Sequence, residues 1–343
     1  MLFAAAIAAS CLYLLGLFWL AARRDAVAAG EASSSTSSTS PHWLTQHSGL
    51  VYGLSLAVYC TSWTFYGGVG TAAGAGLHYL PIYLGPILVF TVGFGLVRKV
   101  LTQSKAQHST SIADFPSARY GKSAGVAALV TIIASVGSLP YMALQLQSVG
   151  SSLLTLNPEI SDTVAADELV LMVAGLMALF AILFGSRRAD RAGSNAGLVL
   201  TIAVEAIVKL VALIAVAALA LVLLLAPETG QPISTAQPTF SGAQIDARFV
   251  ILTIIAACAA LCLPRQFHMT FVEAAGERAS ASMRWVFPAY LLVTAAVIVP
   301  IVLAGLSALP AGTNPDSIVD RKSVVVGKRG GRGGGRRGGR RGG

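Results

Sequence analysis

The chain has 343 residues, of which 55% are hydrophobic and only 11% are charged. This composition excludes an ordinary soluble domain, in which about a quarter of the residues are charged. The formal net charge of +9 comes from the C-terminal tail, because acidic and basic side chains balance over residues 1–320. We therefore predict an all-α polytopic membrane protein.

Eight apolar segments are candidates for transmembrane helices, each of which needs roughly 20 residues to cross a bilayer. They lie at residues 2–20, 50–70, 79–101, 124–156, 168–185, 197–226, 247–264 and 285–309. Residues 1–22 are predicted to form a leading transmembrane helix. Residues 23–47 form a polar linker that is rich in serine and has the composition of a flexible loop.

Basic residues predict the orientation of the chain. They lie mainly in the loops that follow the odd-numbered segments: Arg23 and Arg24; Arg98, Lys99, Lys105, Arg119 and Lys122; Arg187, Arg188 and Arg191; Arg265, Arg278 and Arg284. These loops are cytoplasmic by the positive-inside rule, so the N-terminus lies outside. The alternative for segment one is a signal peptide, but its basic residues follow the apolar run instead of preceding it.

The end of the chain, residues 310–343, contains a repetitive Gly/Arg sequence. Such a segment resembles RNA-binding tails, but eight spans place it outside the cell, where it would meet no nucleic acid. We interpret it as an artefactual low-complexity tail and expect no nucleic-acid partner.

Segment two has the most unusual composition, because small hydroxyl residues, aromatic residues and three glycines fill residues 59–70. Such a stretch permits a broken helix whose freed carbonyl groups bind a cation. The alternative is close helix packing through small residues. Segment seven contains Pro264, which predicts a second break five segments later. Paired breaks at this spacing indicate a binding site at the middle of the membrane in inverted-repeat transporters.

Several strings resemble the sodium:solute symporter family, and most closely the symporter-like membrane half of bacterial sensor histidine kinases. They are TSWTFYG at 61–67, LPIYLGP at 80–86, TSIADF at 110–115, ARYGKS at 118–123 and PYMALQLQ at 140–147. The resemblance covers residues 48–309. It implies a partial leucine-transporter-like inverted-repeat fold in the bacterial cytoplasmic membrane. The later helices and the kinase domains of such sensors are not in the sequence, so we expect it to be a fragment.

The resemblance also implies which residues of segment two hold a sodium ion. Ala57 and Cys60 are carbonyl donors, and Thr61 and Ser62 contribute hydroxyl groups. Tyr59 stands where proline symporters have an aspartate, and this departure argues against sodium coupling. Na⁺ is the only cofactor that the resemblance suggests.

Four side chains are candidates for lining a pocket for a small organic solute: Trp63, Tyr66, Tyr141 and Gln145. The alternative is that they are packing and interfacial residues. Amino acids and short carboxylates are the solutes that the family suggests.

Segment six contains Glu205 and Lys209, four residues apart. A charged residue at the centre of a membrane helix costs about 2.5–3.5 kcal/mol on insertion scales, and this spacing lets the two side chains pair. The resemblance places Glu205 at an acidic position of symporters, which suggests a role in the ion pathway. A structural pair that neutralises itself is the alternative.

Catalytic and metal sites are not indicated. The five histidines are scattered, without a nucleophile or carboxylate arranged for catalysis, and the four cysteines lie in apolar segments, where they act as small hydrophobic residues. Thr110, Ser111 and Asp114 predict the start of a helix.

The leading hypothesis is a solute-binding membrane module that serves as the sensor input of a histidine kinase, so that a response regulator would be reached only through the absent kinase domains. The alternatives are a stand-alone sodium-coupled symporter and a structural membrane anchor without a working transport site.

Overall fold

The computed structural model describes residues 9–10, 12–24, 48–156, 166–180, 182, 196–225, 240, 242–274 and 276–308. Within these ranges the chain is almost entirely helical and contains no strand. The predicted linker from residue 25, the acidic loop at 157–165 and the Gly/Arg tail lie outside the described residues.

Among the described residues, helical structure covers 9–10 and 12–24 and continues in eleven α-helices from residue 48 onwards. They are α1 (Ser48–Ser55), α2 (Ser62–Ala75), α3 (Pro81–Thr91), α4 (Phe94–Ala106), α5 (Asp114–Arg119), α6 (Ala124–Leu156), α7 (Ala166–Phe180), α8 (Ala196–Leu225), α9 (Ala247–Cys262), α10 (Pro264–Phe267) and α11 (Gly276–Ala308). Short 3₁₀ helices cover Leu56–Tyr59, Gly76–Tyr79 and Gly242–Gln244, and a π-helical turn covers His268–Val272.

In the part of the chain that the structure describes, three helices are long and apolar enough to cross a membrane by themselves: Ala124–Leu154, Gly197–Leu225 and Ala281–Leu306. Two further spans arise if each of two bent pairs of helices is counted as one. Thr64–Tyr79 meets Pro81–Thr91 at 59°, and Ala247–Cys262 meets Pro264–Val272 at 57°. The described residues therefore support a helical membrane protein and contain three to five candidate spans, while the eight spans that the apolar segments predict stay a prediction.

Both predicted breaks are confirmed. In segment two, Cys60 (φ −83°, ψ 108°) and Thr61 (φ −109°, ψ −176°) are extended between the 3₁₀ turn and α2. In segment seven, Leu263 (φ −64°, ψ 127°) is extended before Pro264. The second break has a simple steric cause, since a proline disfavours the α conformation of the residue before it.

The core lies where α1, α2, α3 and α8 pack against α11. Phe287 of α11 makes edge-to-face ring contacts there with Phe90 and Tyr59, at centroid distances of 5.0 and 6.2 Å. Helix α3 also packs on α9, where a Cβ atom added to Gly85 would lie only 2.5 Å from the backbone nitrogen of Ala257. Small residues thus permit the close helix approach that is common in membrane bundles.

The predicted helix start at Thr110–Asp114 is confirmed by α5. Asp114 accepts hydrogen bonds from the side-chain hydroxyl and the backbone N–H of Thr110 (the latter at 3.1 Å), and its own N–H donates to Ser111 Oγ at 3.2 Å. These bonds, chiefly the one from the Thr110 hydroxyl, lower the pKa of the Asp114 carboxyl group.

Candidate functional site: the break in segment two

At the break in segment two, three side chains from distant elements bind backbone carbonyl groups. Lys209 Nζ of α8 lies 3.3 Å from the carbonyl oxygen of Cys60. Arg265 Nη2 of α10 lies 3.4 Å from that of Tyr59, and Gln266 Nε2 lies 3.3 Å from that of Leu56. Two permanently charged side chains therefore bind carbonyl groups at this break. In other broken helices such carbonyl groups coordinate a bound ion.

The four residues predicted as sodium ligands have other partners. The carbonyl oxygen of Ala57 accepts a bond of 2.9 Å from the N–H of Cys60, whose own carbonyl group binds Lys209. Thr61 Oγ1 is bonded to the Tyr141 hydroxyl at 2.5 Å, and Ser62 Oγ donates to Gln145 Oε1. The hydroxyl groups thus tie α2 to α6.

Thr61 also starts α2. Its backbone N–H donates to Thr64 Oγ1 at 3.1 Å, and the two threonines form a capping box. Tyr83 of α3 donates its hydroxyl hydrogen to the carbonyl oxygen of Thr64 at 2.7 Å. The break is therefore fixed on both sides by hydrogen bonds.

The predicted pair of charges in segment six is confirmed, with Lys209 Nζ 2.5 Å from Glu205 Oε1. The spacing of four residues places both side chains on one face of α8. The sequence did not indicate that Lys209 also reaches Cys60, 149 residues earlier. The ammonium group thus joins a carboxylate on its own helix to the broken backbone of another.

A cavity of about 480 Å³ lies beside both breaks. Its wall is mostly apolar and contains residues of α2, α3, α6 and α9. The lining residues include Thr64, Gly67, Thr71, Pro81, Ile82, Gly137, Leu252, Ile255, Ala259 and Leu263, together with Tyr59, Tyr141 and Arg265. Its volume is within the usual range of small-molecule sites, about 300–1,000 Å³.

Of the four residues predicted to line a solute pocket, Tyr141 does so. Tyr66 and Gln145 lie outside the described lining: Tyr66 accepts a bond of 3.1 Å from Ser152 Oγ, and Gln145 contacts Ser62. Trp63 is the second residue of α2, and its side chain lies outside the described residues.

The sequence predicts Arg265 in the loop after segment seven, and this prediction is wrong. Arg265 lies at the break itself, because after Pro264 the chain continues through α10 and the π-helical turn to Val272 before the segment ends. Its guanidinium group donates to the Tyr141 hydroxyl at 2.6 Å and lies 4.6 Å from the centre of the Tyr141 ring. The sequence feature that could have predicted this position is a basic residue directly after a helix-breaking proline.

The π-helical turn makes a second polar cluster that the sequence did not reveal. His268 Nε2 lies 3.1 Å from Oε1 of the buried Glu273. The Tyr52 hydroxyl group of α1 lies 3.0 and 2.8 Å from the carbonyl oxygens of Met269 and Thr270. The cluster therefore connects the two broken segments, before the break in segment two and after the break in segment seven. Among the described residues no group of three or more His, Cys, Asp or Glu side chains is placed to hold a metal ion.

Comparison with protein-family models, with curated proteins and with solved structures found no match for this chain.

Proposed function

We propose that the chain is a solute-binding membrane module of the sodium:solute symporter type, acting as the input half of a sensor histidine kinase in two-component signalling. The observation that supports solute binding is the cavity beside two helix breaks, whose wall includes residues next to each break, Tyr59 and Leu263. Breaks at membrane depth are tolerated where the irregular backbone lines a cavity. The signalling part rests on the family resemblance of residues 48–309.

Solute binding is tested with the purified protein in lipid nanodiscs. A panel of short carboxylates, amino acids, sugars and polyols is screened for an increase in unfolding temperature, and each hit is measured by calorimetry. We expect at least one class to bind with a single site per chain, because ligand binding to the folded state raises its stability. If no compound of any class binds, the proposal of a solute-binding module is wrong.

The sensor role is tested on the gene. Sequencing the genomic reading frame beyond codon 320 should reveal further membrane spans followed by kinase domains. Further spans followed by a stop codon would instead support a stand-alone symporter.

We predict that solute binding is independent of sodium. Lys209 and Arg265 already bind the carbonyl groups of Cys60 and Tyr59, so a sodium ion would have to displace a permanent cation. Replacing sodium chloride by choline chloride should change the solute affinity by less than about twofold, whereas coupled ligands typically change each other's affinity about 5–150-fold. A steep dependence on sodium, measured by calorimetry in both salts, would favour the coupled symporter.

The proposed orientation predicts that Lys105 faces the cytoplasm and Asp167 faces outward. Both side chains are exposed, so each position is suitable for a single cysteine in a variant whose four native cysteines are replaced by alanine. A membrane-impermeant maleimide should label intact cells at position 167 and not at position 105. Strong external labelling at 105 would reverse the topology.

A further inference from the structure

Helix α4 carries two basic side chains that have no partner in the described part of the chain. The helix packs against the π-helical turn, and Lys105 Nζ donates there to the carbonyl oxygen of Val272 at 2.6 Å. Arg98 and Lys99 lie on the exposed side of the helix. No hydrogen bond or ion pair joins their side chains to another described residue. Both charges are therefore available to a ligand.

An open depression of about 450 Å³ lies over these two side chains. Its lining among the described residues is Gly95, Arg98, Lys99, Thr102 and Gln103, and spacings of three and four residues place this set on one face of α4. Gly95 leaves one end open, since a Cβ atom added there would meet nothing within 4 Å. The positive-inside rule predicts basic residues on this side of the membrane, but it does not require them to line a common depression.

The position of α4 along the chain places the depression at the edge of the bilayer. Helix α3 is the second half of the bent candidate span that ends at Thr91, and α4 follows directly. The guanidinium group of Arg284 lies 5.7 Å from the ring centre of Phe94 and 5.3 Å from that of Trp285. The side chain of Trp285 is 64% exposed, and exposed tryptophans are typical of the level of the lipid headgroups.

Exposed apolar side chains continue from the depression toward the bilayer core. Val92 is 84% exposed at the turn before α4, and Leu96 is 54% exposed within the first turn of the helix. Leu96 precedes Lys99 by three residues and Gln103 by seven, so the three lie on one face. Basic and apolar side chains next to each other on one exposed face are typical of helices that bind anionic lipids at the interface.

We infer that the exposed face of α4 binds an anionic phospholipid, with the phosphate diester at Arg98 and Lys99 and an acyl chain over Leu96 and Val92. The Gln103 amide offers a donor and an acceptor to headgroup hydroxyl groups. In the proposed orientation the site faces the cytoplasmic leaflet, whose surface is negative. The inference does not depend on whether a solute binds in the cavity beside the breaks.

The ligand test uses the full chain, purified in detergent and stripped of lipid, and counts bound lipid by native mass spectrometry. Phosphatidylglycerol is compared with phosphatidylcholine of the same acyl chains, whose phosphate charge is balanced by choline. We expect one saturable site that binds phosphatidylglycerol at least about tenfold more tightly, because two unpaired cations face the headgroup. Equal affinity for the two lipids would overturn the inference.

A second comparison separates a lipid from a soluble phosphate ester. Glycerophosphoglycerol is the headgroup of phosphatidylglycerol without the acyl chains, so it keeps the charge and loses the contacts with Leu96 and Val92. It should bind at least about tenfold more weakly than the lipid, since buried hydrocarbon adds affinity. Equal affinity would show a site for a soluble phosphate diester and overturn the lipid.

The residue test removes the two charges in Arg98→Gln/Lys99→Gln. Each basic residue near an anionic surface contributes roughly fivefold to affinity, so phosphatidylglycerol binding should weaken about 25-fold. The matched control is Arg119→Gln/Lys122→Gln, which loses the same net charge at two exposed residues that do not line the depression. The control should change the affinity by less than about twofold, since screened charges outside the site add little.

Equal losses in the two double variants would mean that lipid is attracted by net charge alone, and would overturn the site. The exchanged variant Arg98→Lys/Lys99→Arg keeps both charges and should retain the binding of phosphatidylglycerol. If Arg98→Gln/Lys99→Gln does not fold, the comparison of the two lipids on the wild-type protein and the exchanged variant decide. Loss of binding in the exchanged variant would contradict a phosphate held by these two charges.

Discussion

Replacing Lys209 alone by methionine should destabilise the protein by about 2–3 kcal/mol, more than replacing Glu205 and Lys209 together. Removing one partner of a buried ion pair leaves the other charge uncompensated, at a cost of about 3–5 kcal/mol when both are fully buried. The side chains here are about a third exposed, 31% for Lys209 and 37% for Glu205, so the expected cost is lower. In Lys209→Met the Cys60 carbonyl group also loses its donor.

The same geometry predicts an asymmetry between the two single variants. In Glu205→Gln, Lys209 keeps the carbonyl oxygen of Cys60 as a partner, so this variant should be milder than Lys209→Met. Unfolding temperatures from size-exclusion chromatography after heating would rank Lys209→Met, Glu205→Gln and Glu205→Gln/Lys209→Met. Val208→Met, at an exposed neighbouring position, controls for a new methionine on α8.

A double variant as unstable as Lys209→Met would contradict mutual neutralisation. It would show that Lys209 acts mainly through the broken backbone at Cys60 and that Glu205 adds little.

Replacing Gly67 by valine should strongly weaken solute binding while the protein still inserts and folds. Gly67 is buried in α2 and lines the cavity, so a larger side chain there occupies the space of the solute. Overpacking a fitted site costs typically 1–3 kcal/mol, which corresponds to about a 5- to 150-fold loss of affinity. Gly67→Ala should lose less, in proportion to the smaller volume.

Gly74→Val is the matched control for this prediction. Gly74 belongs to the same helix, and a Cβ atom added there would meet nothing within 4 Å. Calorimetry with the highest-affinity compound of the panel should find wild-type binding in Gly74→Val. Equal losses in both variants would mean that valine disturbs α2 generally and that the cavity beside Gly67 is not the binding site.

The sequence predicted the features that depend on local chemistry. Pro264 forces the residue before it out of the α conformation, and the helical spacing of Glu205 and Lys209 places them on one face. The hydroxyl-rich and glycine-rich stretch after Tyr59 indicated a break, which is present, while cation binding by its carbonyl groups stays a prediction. Close packing is present as well: Gly67 and Gly68 both line the cavity, and a Cβ atom on Gly68 would lie 2.7 Å from the Tyr83 hydroxyl oxygen.

The sequence did not predict which side chains bind the freed carbonyl groups. Tyr59 and Arg265 are separated by 206 residues, and no periodicity or spacing connects positions so far apart. For the same reason Gln145 was placed at the solute pocket although it bonds to Ser62. The eight spans stay a prediction, because the described residues cover only parts of the segments at 2–20 and 168–185.

The most direct test of the central claim, that a solute binds in the cavity beside the two breaks, is solute protection of single cysteines. In a variant without native cysteines, Thr71→Cys places a thiol on the cavity wall, and Gly74→Cys places one on the same helix outside it. We predict that the highest-affinity compound of the panel slows alkylation by a small maleimide at position 71 and leaves the rate at position 74 unchanged. No protection at 71, or equal protection at both positions, would contradict the account.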